Sequence, residues 1–108
     1  MIARPLKPQY FQILLALGSR ELHGYAIQRA VLSQTDDQMR LWPAMLYRSL
    51  AKLEEASLIR PVPAPEEEPE DERRQYYAIT SEGRECLREE AEMLARWAKA
   101  AEQVREAT

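Results

Sequence analysis

The sequence predicts a mainly α fold with one small β-hairpin and a long C-terminal helix. Three observations carry this. Apolar residues recur at helical spacing in three short stretches before residue 56. The pattern then changes to two short apolar runs around a proline- and glutamate-rich block. From Ser81 to about Val104 no glycine or proline follows Gly83, long enough for one uninterrupted helix.

The first helix spans Lys7 to Leu17, where Tyr10, Ile13, Leu14 and Leu17 stand at i, i+3, i+4 and i+7. Gly18-Ser19-Arg20 breaks it. A second helix fits His23 or Gly24 to about Gln34, with Tyr25, Ile27, Ala30 and Val31 on its buried side. Ser33 to Met39 is polar and reads as a turn. Pro43 suits the first turn of a third helix, where its missing N–H costs nothing. The Trp42 side chain before it cannot cap. Leu46, Leu50 and Leu53 follow at helical spacing, with Arg48, Ser49, Lys52 and Glu55 facing elsewhere.

After Ser57, Leu58-Ile59-Arg60-Pro61-Val62 reads as an edge strand, since proline cannot donate to a ladder. Gln75-Tyr76-Tyr77-Ala78-Ile79 reads as its partner. Between them lies Glu66-Glu67-Glu68-Pro69-Glu70-Asp71-Glu72, a composition that buries little and reads as a solvated or mobile hairpin tip. Thr80 offers a capping hydroxyl to the last helix, and Glu82 and Glu85 favour its positive end. Three helices followed by a hairpin is a winged helix-turn-helix order. The expected division is a winged helix-turn-helix over residues 1–80, its wing at about 58–79, and a C-terminal dimerisation helix over 81–108.

The last helix carries two apolar stripes. Leu87, Ala91, Leu94, Ala98 and Ala101 form one; Cys86, Met93, Trp97, Ala100 and Val104 form its neighbour. Together they exceed what one small domain covers. A second copy of the chain is the economical partner, through a two-fold contact in which small residues allow close approach. Leu87, Ala91, Leu94, Trp97, Ala98 and Ala101 are the expected dimer seam, with part of the face reserved for the chain's own core.

The 108 residues suit one small domain, and the formal charge of -3 argues at first against nucleic acid. Its distribution does not. Residues 1–60 hold eight Lys/Arg against five Asp/Glu, a mildly positive balance; residues 61–108 hold seven against thirteen. No apolar run approaches the roughly 18–20 residues of a membrane span. The N-terminus has no signal-peptide pattern, and the single cysteine, Cys86, fits a reducing compartment, so a cytoplasmic protein without disulfides is expected. One histidine, one cysteine and acids concentrated in one block offer no catalytic constellation and no metal cluster. No enzyme activity, cofactor or metal is expected. His23 reads as a helix-start residue packed near Tyr25, ahead of a pH sensor or phosphate contact. Cys86 reads as a small buried residue.

Three stretches resemble a known family. Ile13-Leu14-Leu15-Ala16-Leu17 with Leu22-His23-Gly24-Tyr25-Ala26-Ile27 resembles the opening of PadR-type transcriptional regulators. So do Met45-Leu46-Tyr47-Arg48-Ser49-Leu50-Ala51-Lys52-Leu53-Glu54 ending in Leu58-Ile59, and Arg74-Gln75-Tyr76-Tyr77-Ala78-Ile79-Thr80-Ser81-Glu82-Gly83. The likeness covers roughly residues 8 to 104 and is to the short branch with a single C-terminal helix. Two positions depart from the family pattern. Ser57 stands where a glycine is usual, and Met45 where a small hydroxyl residue is usual.

The resemblance implies a dimeric repressor on pseudo-palindromic operator DNA, released by a small molecule or other signal. The third helix would enter the major groove. Pro43, Ala44 and Met45 keep its N-terminal end slim, and Ala44 and Met45 can meet a thymine methyl. Arg48 can reach a guanine edge or a phosphate, and Lys52, a turn later, a phosphate. The likeness suggests a phosphate contact for the Tyr47 hydroxyl. Arg73 and Arg74 would meet the backbone or minor groove from the wing. It also implies a small planar apolar or cationic effector near Met93 and Trp97 at the seam. The competing reading is a winged-helix module that binds protein without specific DNA recognition.

Overall fold

The computed structural model describes residues 2–66 and 74–107. Helix α1 spans Pro8–Leu17, strand β1 Leu22–His23, helix α2 Gly24–Gln34 and helix α3 Pro43–Glu55. Strands β2 (Ile59–Val62) and β3 (Tyr76–Ile79) precede helix α4, Ser81–Ala107. The sheet is antiparallel in the order β1-β3-β2. Leu22 pairs with Tyr77 and His23 with Tyr76 on one side of β3; Ile59 pairs with Ile79 and Val62 with Tyr76 on the other. The expected hairpin is therefore extended by a third, two-residue strand that ties the start of α2 to the wing. Two residues are too few for an alternating pattern to be legible.

Each boundary has a local cause. Pro8 and Pro43 lie in the opening turns of α1 and α3, and neither helix has a side-chain cap. Helix α2 is capped by His23, whose ring accepts from the Ala26 N–H. It ends in a Schellman arrangement: Asp37 N–H donates to Leu32 O at 2.8 Å and Asp36 N–H to Ser33 O at 3.3 Å. Asp36 and Asp37 take φ of 50° and 65° there. Helix α3 ends in the same way, with Leu58 N–H on Leu53 O and Ser57 N–H on Glu54 O. Ser57 has φ 63°, the left-handed conformation that explains why a glycine suits this position.

Thr80 joins three elements. Its hydroxyl accepts from Gly83 N–H at 2.9 Å, the expected cap of α4, and donates to Ser57 O at 2.7 Å. Its N–H donates to Leu58 O at 3.1 Å.

The core joins Ile13, Leu14 and Leu17 of α1, Ile27 and Val31 of α2, and Leu46, Leu50 and Leu53 of α3 to Leu58, Ile59, Ile79 and Cys86. Three side chains depart from expectation. Tyr25 is not on the buried side of α2; it is 58% exposed, stacked beside His23 and beneath Arg29. At the second residue of the helix its ring extends past the core. Ser49 is buried, not outward, because it completes the i, i+3, i+4, i+7 stripe of Leu46, Leu50 and Leu53. Glu90 on α4 is only 3% exposed. It accepts from the Leu6 N–H at 2.6 Å and from Arg4 Nε at 2.9 Å, strapping the N-terminal segment across the helix.

Helix α4 packs chiefly on α1. Cys86 is buried, Leu87 and Met93 are half-buried, and every residue described from Leu94 to Arg105 is exposed. Burial pushes the Cys86 thiol above its ordinary value, which agrees with a packing role. No helix among the described residues is long and apolar enough to cross a membrane.

Candidate nucleic-acid interface

Helix α3 presents one continuous outward face. Leu46, Ser49, Leu50 and Leu53 point into the core, so Ala44, Arg48, Ala51 and Glu55 run at i, i+4, i+7 and i+11 down the middle of the opposite side. All four are exposed. Ala51 was not singled out from the sequence; its small side chain keeps the middle of the face low.

The two flanks differ. On the α1 side, Met45, Arg48 and Lys52 border a hollow of about 300 Å³ closed by Lys7, Gln9 and Tyr10. Lys7, the residue before α1, thus adds a third cation beside Arg48 and Lys52. Nothing in its local sequence marks it, because the proximity is created by packing of α1 on α3. On the α2 side, Tyr47 is 57% exposed and leans over the start of α2. A Cβ built on Gly24 would stand 3.0 Å from its hydroxyl oxygen. The absent side chain at Gly24 is what lets the ring lie there. Tyr47 is thus an exposed ring where α3 meets the start of α2.

Before α3, Trp42 is 63% exposed and the Arg40 guanidinium lies 5.3 Å from its ring centroid. The Gln28 side-chain amide donates to Leu41 O and anchors this approach to α2. At the wing, Arg74 is exposed and its Nη1 lies 3.0 Å from Nε2 of His23. Tyr77, behind it on β3, is buried, which pushes its phenol above the usual value. Arg73 and residues 67–72 of the acidic block lie outside the described residues.

Ala44, Met45, Tyr47, Arg48 and Lys52 thus share one exposed helix surface, and Tyr47 brings it to the α2 start that carries His23 beside Arg74. The residues expected at a dimer seam, Ala91, Leu94, Trp97, Ala98 and Ala101, lie apart from it along α4, all exposed, with Leu87 half-buried against the core. No group of metal-binding side chains forms among the described residues.

Exposed α3, its capped neighbour α2 and a three-stranded wing make a winged helix-turn-helix. Residues 13–89 match the transcriptional regulator PadR-like family. The chain belongs to that family. The match runs from the second half of α1 through α2, α3 and the sheet into the first part of α4. A transcriptional regulator from Clostridium thermocellum is 25% identical and superposes with a TM-score of 0.73 over 88% of this chain and 87% of that one. A PadR family transcription regulator from Clostridium difficile superposes with a TM-score of 0.77 over 91% of this chain and 98% of that one. At 22% identity the latter likeness speaks for the fold alone. An uncharacterized 37.1 kDa protein in transposon TN4556 of Streptomyces fradiae is 39% identical over 84 residues, 78% of this chain. The chain spans 22% of that protein's length. The PadR-like family is one of transcriptional regulators, and this chain has its winged-helix fold with a long C-terminal helix.

Proposed function

We propose that this PadR-like chain is a dimeric repressor that binds a pseudo-palindromic operator through α3 and is released by a small effector. Residues 1–80 are the reading head and residues 81–108 the dimerisation helix. The observation that carries the reading is the outward face of α3. It is slim at Ala44 and Met45, cationic at Arg48 and Lys52, and held rigidly by three buried leucines. A rigid helix with a slim end and cations behind it suits the major groove. Arg74, and Arg73 beyond the described residues, serve the adjacent backbone.

Anisotropy titration of duplex DNA from upstream of the gene tests this. Binding is expected to fall steeply with salt, and Arg48→Ala to weaken it by about 5- to 100-fold, the range for loss of one base or phosphate contact. Equal binding by Arg48→Ala would remove α3 from the interface. Absence of any DNA binding would favour the protein-interaction module.

The effector is a planar apolar or cationic compound held beside Trp97 and Met93. Trp97 is 53% exposed and Met93 half-buried, so each copy offers an aromatic face and a pliable thioether side chain. Planar cationic dyes are expected to quench tryptophan fluorescence in the wild type and to quench less in Trp97→Ala. Equal quenching in both proteins would place the dye elsewhere, for instance at Trp42.

A further inference from the structure

The hollow between α3 and the start of α1 measures about 300 Å³, far more than the roughly 10–15 Å³ that admits one water. Its α3 side is a line of Met45, Ser49 and Lys52 at i, i+4 and i+7, with Arg48 beside it. Its α1 side is the opening of that helix, with Lys7 and Gln9. Among the described residues three cations border it and no acid does. Lys7, Arg48 and Lys52 form no ion pair among the described residues.

Two donors at this hollow have nothing to donate to. Ser49 is 3% exposed, and its hydroxyl has no hydrogen-bond partner among the described residues. No described side-chain polar atom that is sealed from solvent lacks a partner, so this oxygen opens into the hollow that its residue borders. A hydroxyl set so deep in an apolar stripe costs stability unless it bonds something. The second donor is the backbone of Gln9. Pro8 has no N–H, and the Tyr10 and Phe11 N–H groups both turn back onto Lys7 O, at 3.0 and 3.2 Å. The Gln9 N–H has no acceptor among the described residues. Lys7 caps the helix with no side-chain bond, so the positive end of α1 stands open at the hollow.

Cations without counter-charges, a buried hydroxyl and an open helix start suit one ligand chemistry, a phosphate or similar oxyanion. The hollow flanks the outward face of α3. A duplex whose major groove received Arg48 would lay a backbone strand along that flank.

We propose that this hollow seats one DNA backbone phosphate, held by the Lys7 and Lys52 ammonium groups, the Ser49 hydroxyl and the Gln9 N–H. The start of α1 then grips the strand at the edge of the groove and fixes the angle at which α3 enters it. Such a contact positions the helix and carries no base information. It also gives a reason for a serine in the leucine stripe of α3. The inference rests on the DNA-binding reading above and adds α1 to its contact surface.

Affinity for an upstream duplex and for an unrelated one, across a salt series, tests the seat in wild type, Arg48→Ala, Lys7→Gln, Ser49→Ala and the double variant Lys7→Gln/Ser49→Ala. Lys7→Gln is expected to weaken both duplexes alike, by about 3- to 10-fold, and to flatten the salt slope by about 0.9. Ser49→Ala should cost about 3- to 10-fold with the slope unchanged, because the hydroxyl carries no charge. The double variant should be less impaired than the product of the two, since both groups hold one phosphate. The Gln9 amide NMR signal is the second readout. It is expected to shift on adding duplex, and to shift less in the double variant. Lys7 and Ser49→Ala binding within twofold of wild type is decisive only with its control: if Lys7→Gln and Ser49→Ala both bind so while Arg48→Ala is weakened, the seat is overturned and the α3 reading stands. Weakening by Lys7→Gln alone, with a still Gln9 signal, would make Lys7 a general surface charge and overturn the seat as well. A Gln9 signal that moves with inorganic phosphate and not with duplex assigns the hollow to a free anion and overturns the DNA seat. Wild type that binds neither duplex overturns both readings. If Ser49→Ala fails to fold, the Lys7→Gln salt slope and the wild-type Gln9 signal decide.

Discussion

Gly83→Ala is expected to remove a large part of the stability of the fold, although the substitution favours a helix in isolation. Alanine at a helical position gains about 1 kcal/mol over glycine from propensity alone. Here a Cβ would stand 2.1 Å from Leu58 O, 3.0 Å from Leu58 C and 2.7 Å from Ile79 Cγ1. The oxygen cannot swing aside, because it accepts the Thr80 N–H that closes the sheet onto α4. Relief requires the first turn of α4 to lift off the β2–β3 edge. That breaks the Thr80 bridge to Ser57 and the Gly83 cap together. A clash of this kind against backbone costs about 3–5 kcal/mol, at the diagnostic end of single substitutions. Against the roughly 5–15 kcal/mol of a small domain it outweighs the propensity gain. Urea denaturation followed by circular dichroism reads the effect. An unchanged or raised midpoint would show that α4 does not rest on the sheet as described.

The same contact illustrates what the sequence exposes and what it hides. Gly83 stood out only as the last glycine before an uninterrupted helix; that it lets a helix rest on a carbonyl is a property of the packing. Periodicity was enough for α1 and α3, because leucines and isoleucines at i, i+3, i+4 and i+7 have one face to bury. It was also enough to turn Ser49 inward, where judging by residue type placed it outside. Position misled at Tyr25, since a residue of the first helical turn can follow the apolar stripe and still extend past the core. Strand β1 was illegible for its shortness. Glu90 was illegible because its partners, Arg4 and the Leu6 N–H, are more than eighty residues away in the chain. On the exposed face of α3, Ala44, Met45, Tyr47, Arg48 and Lys52 follow from the helix itself, whereas Lys7 joins it only through contacts between elements. The charge of -3 resolves similarly: the cations near α3 are gathered by packing, and the sum over the chain does not record where they stand.

Leu94→Glu should leave the single chain folded yet remove both the proposed dimer and the proposed operator binding. Leu94 is 40% exposed, and no residue described after Met93 is buried, so a charge there costs the monomer little, within about 0.5 kcal/mol. The consequences arise between copies. At about 1.5 Å per residue the 27 residues of α4 reach some 40 Å, beyond the 28 Å and 25 Å short dimensions of the molecule. A projecting helix of this kind is marginal in water without a partner. Leu94, Trp97 and Val104 remain uncovered along it, interleaved with Ala91, Ala98 and Ala101, whose small side chains allow a second helix to come close. In a two-fold seam each substitution enters twice, so two carboxylates would face one another in an apolar contact, at several kcal/mol. Sedimentation velocity is expected to change from dimer to monomer at micromolar concentration. Operator affinity should fall by about 100-fold or more, because each reading head then binds one half-site without the gain from linkage. A variant that stays dimeric would move the seam off this stripe. One that becomes monomeric and keeps full affinity would show that a single α3, with the wing beside it, suffices for the operator.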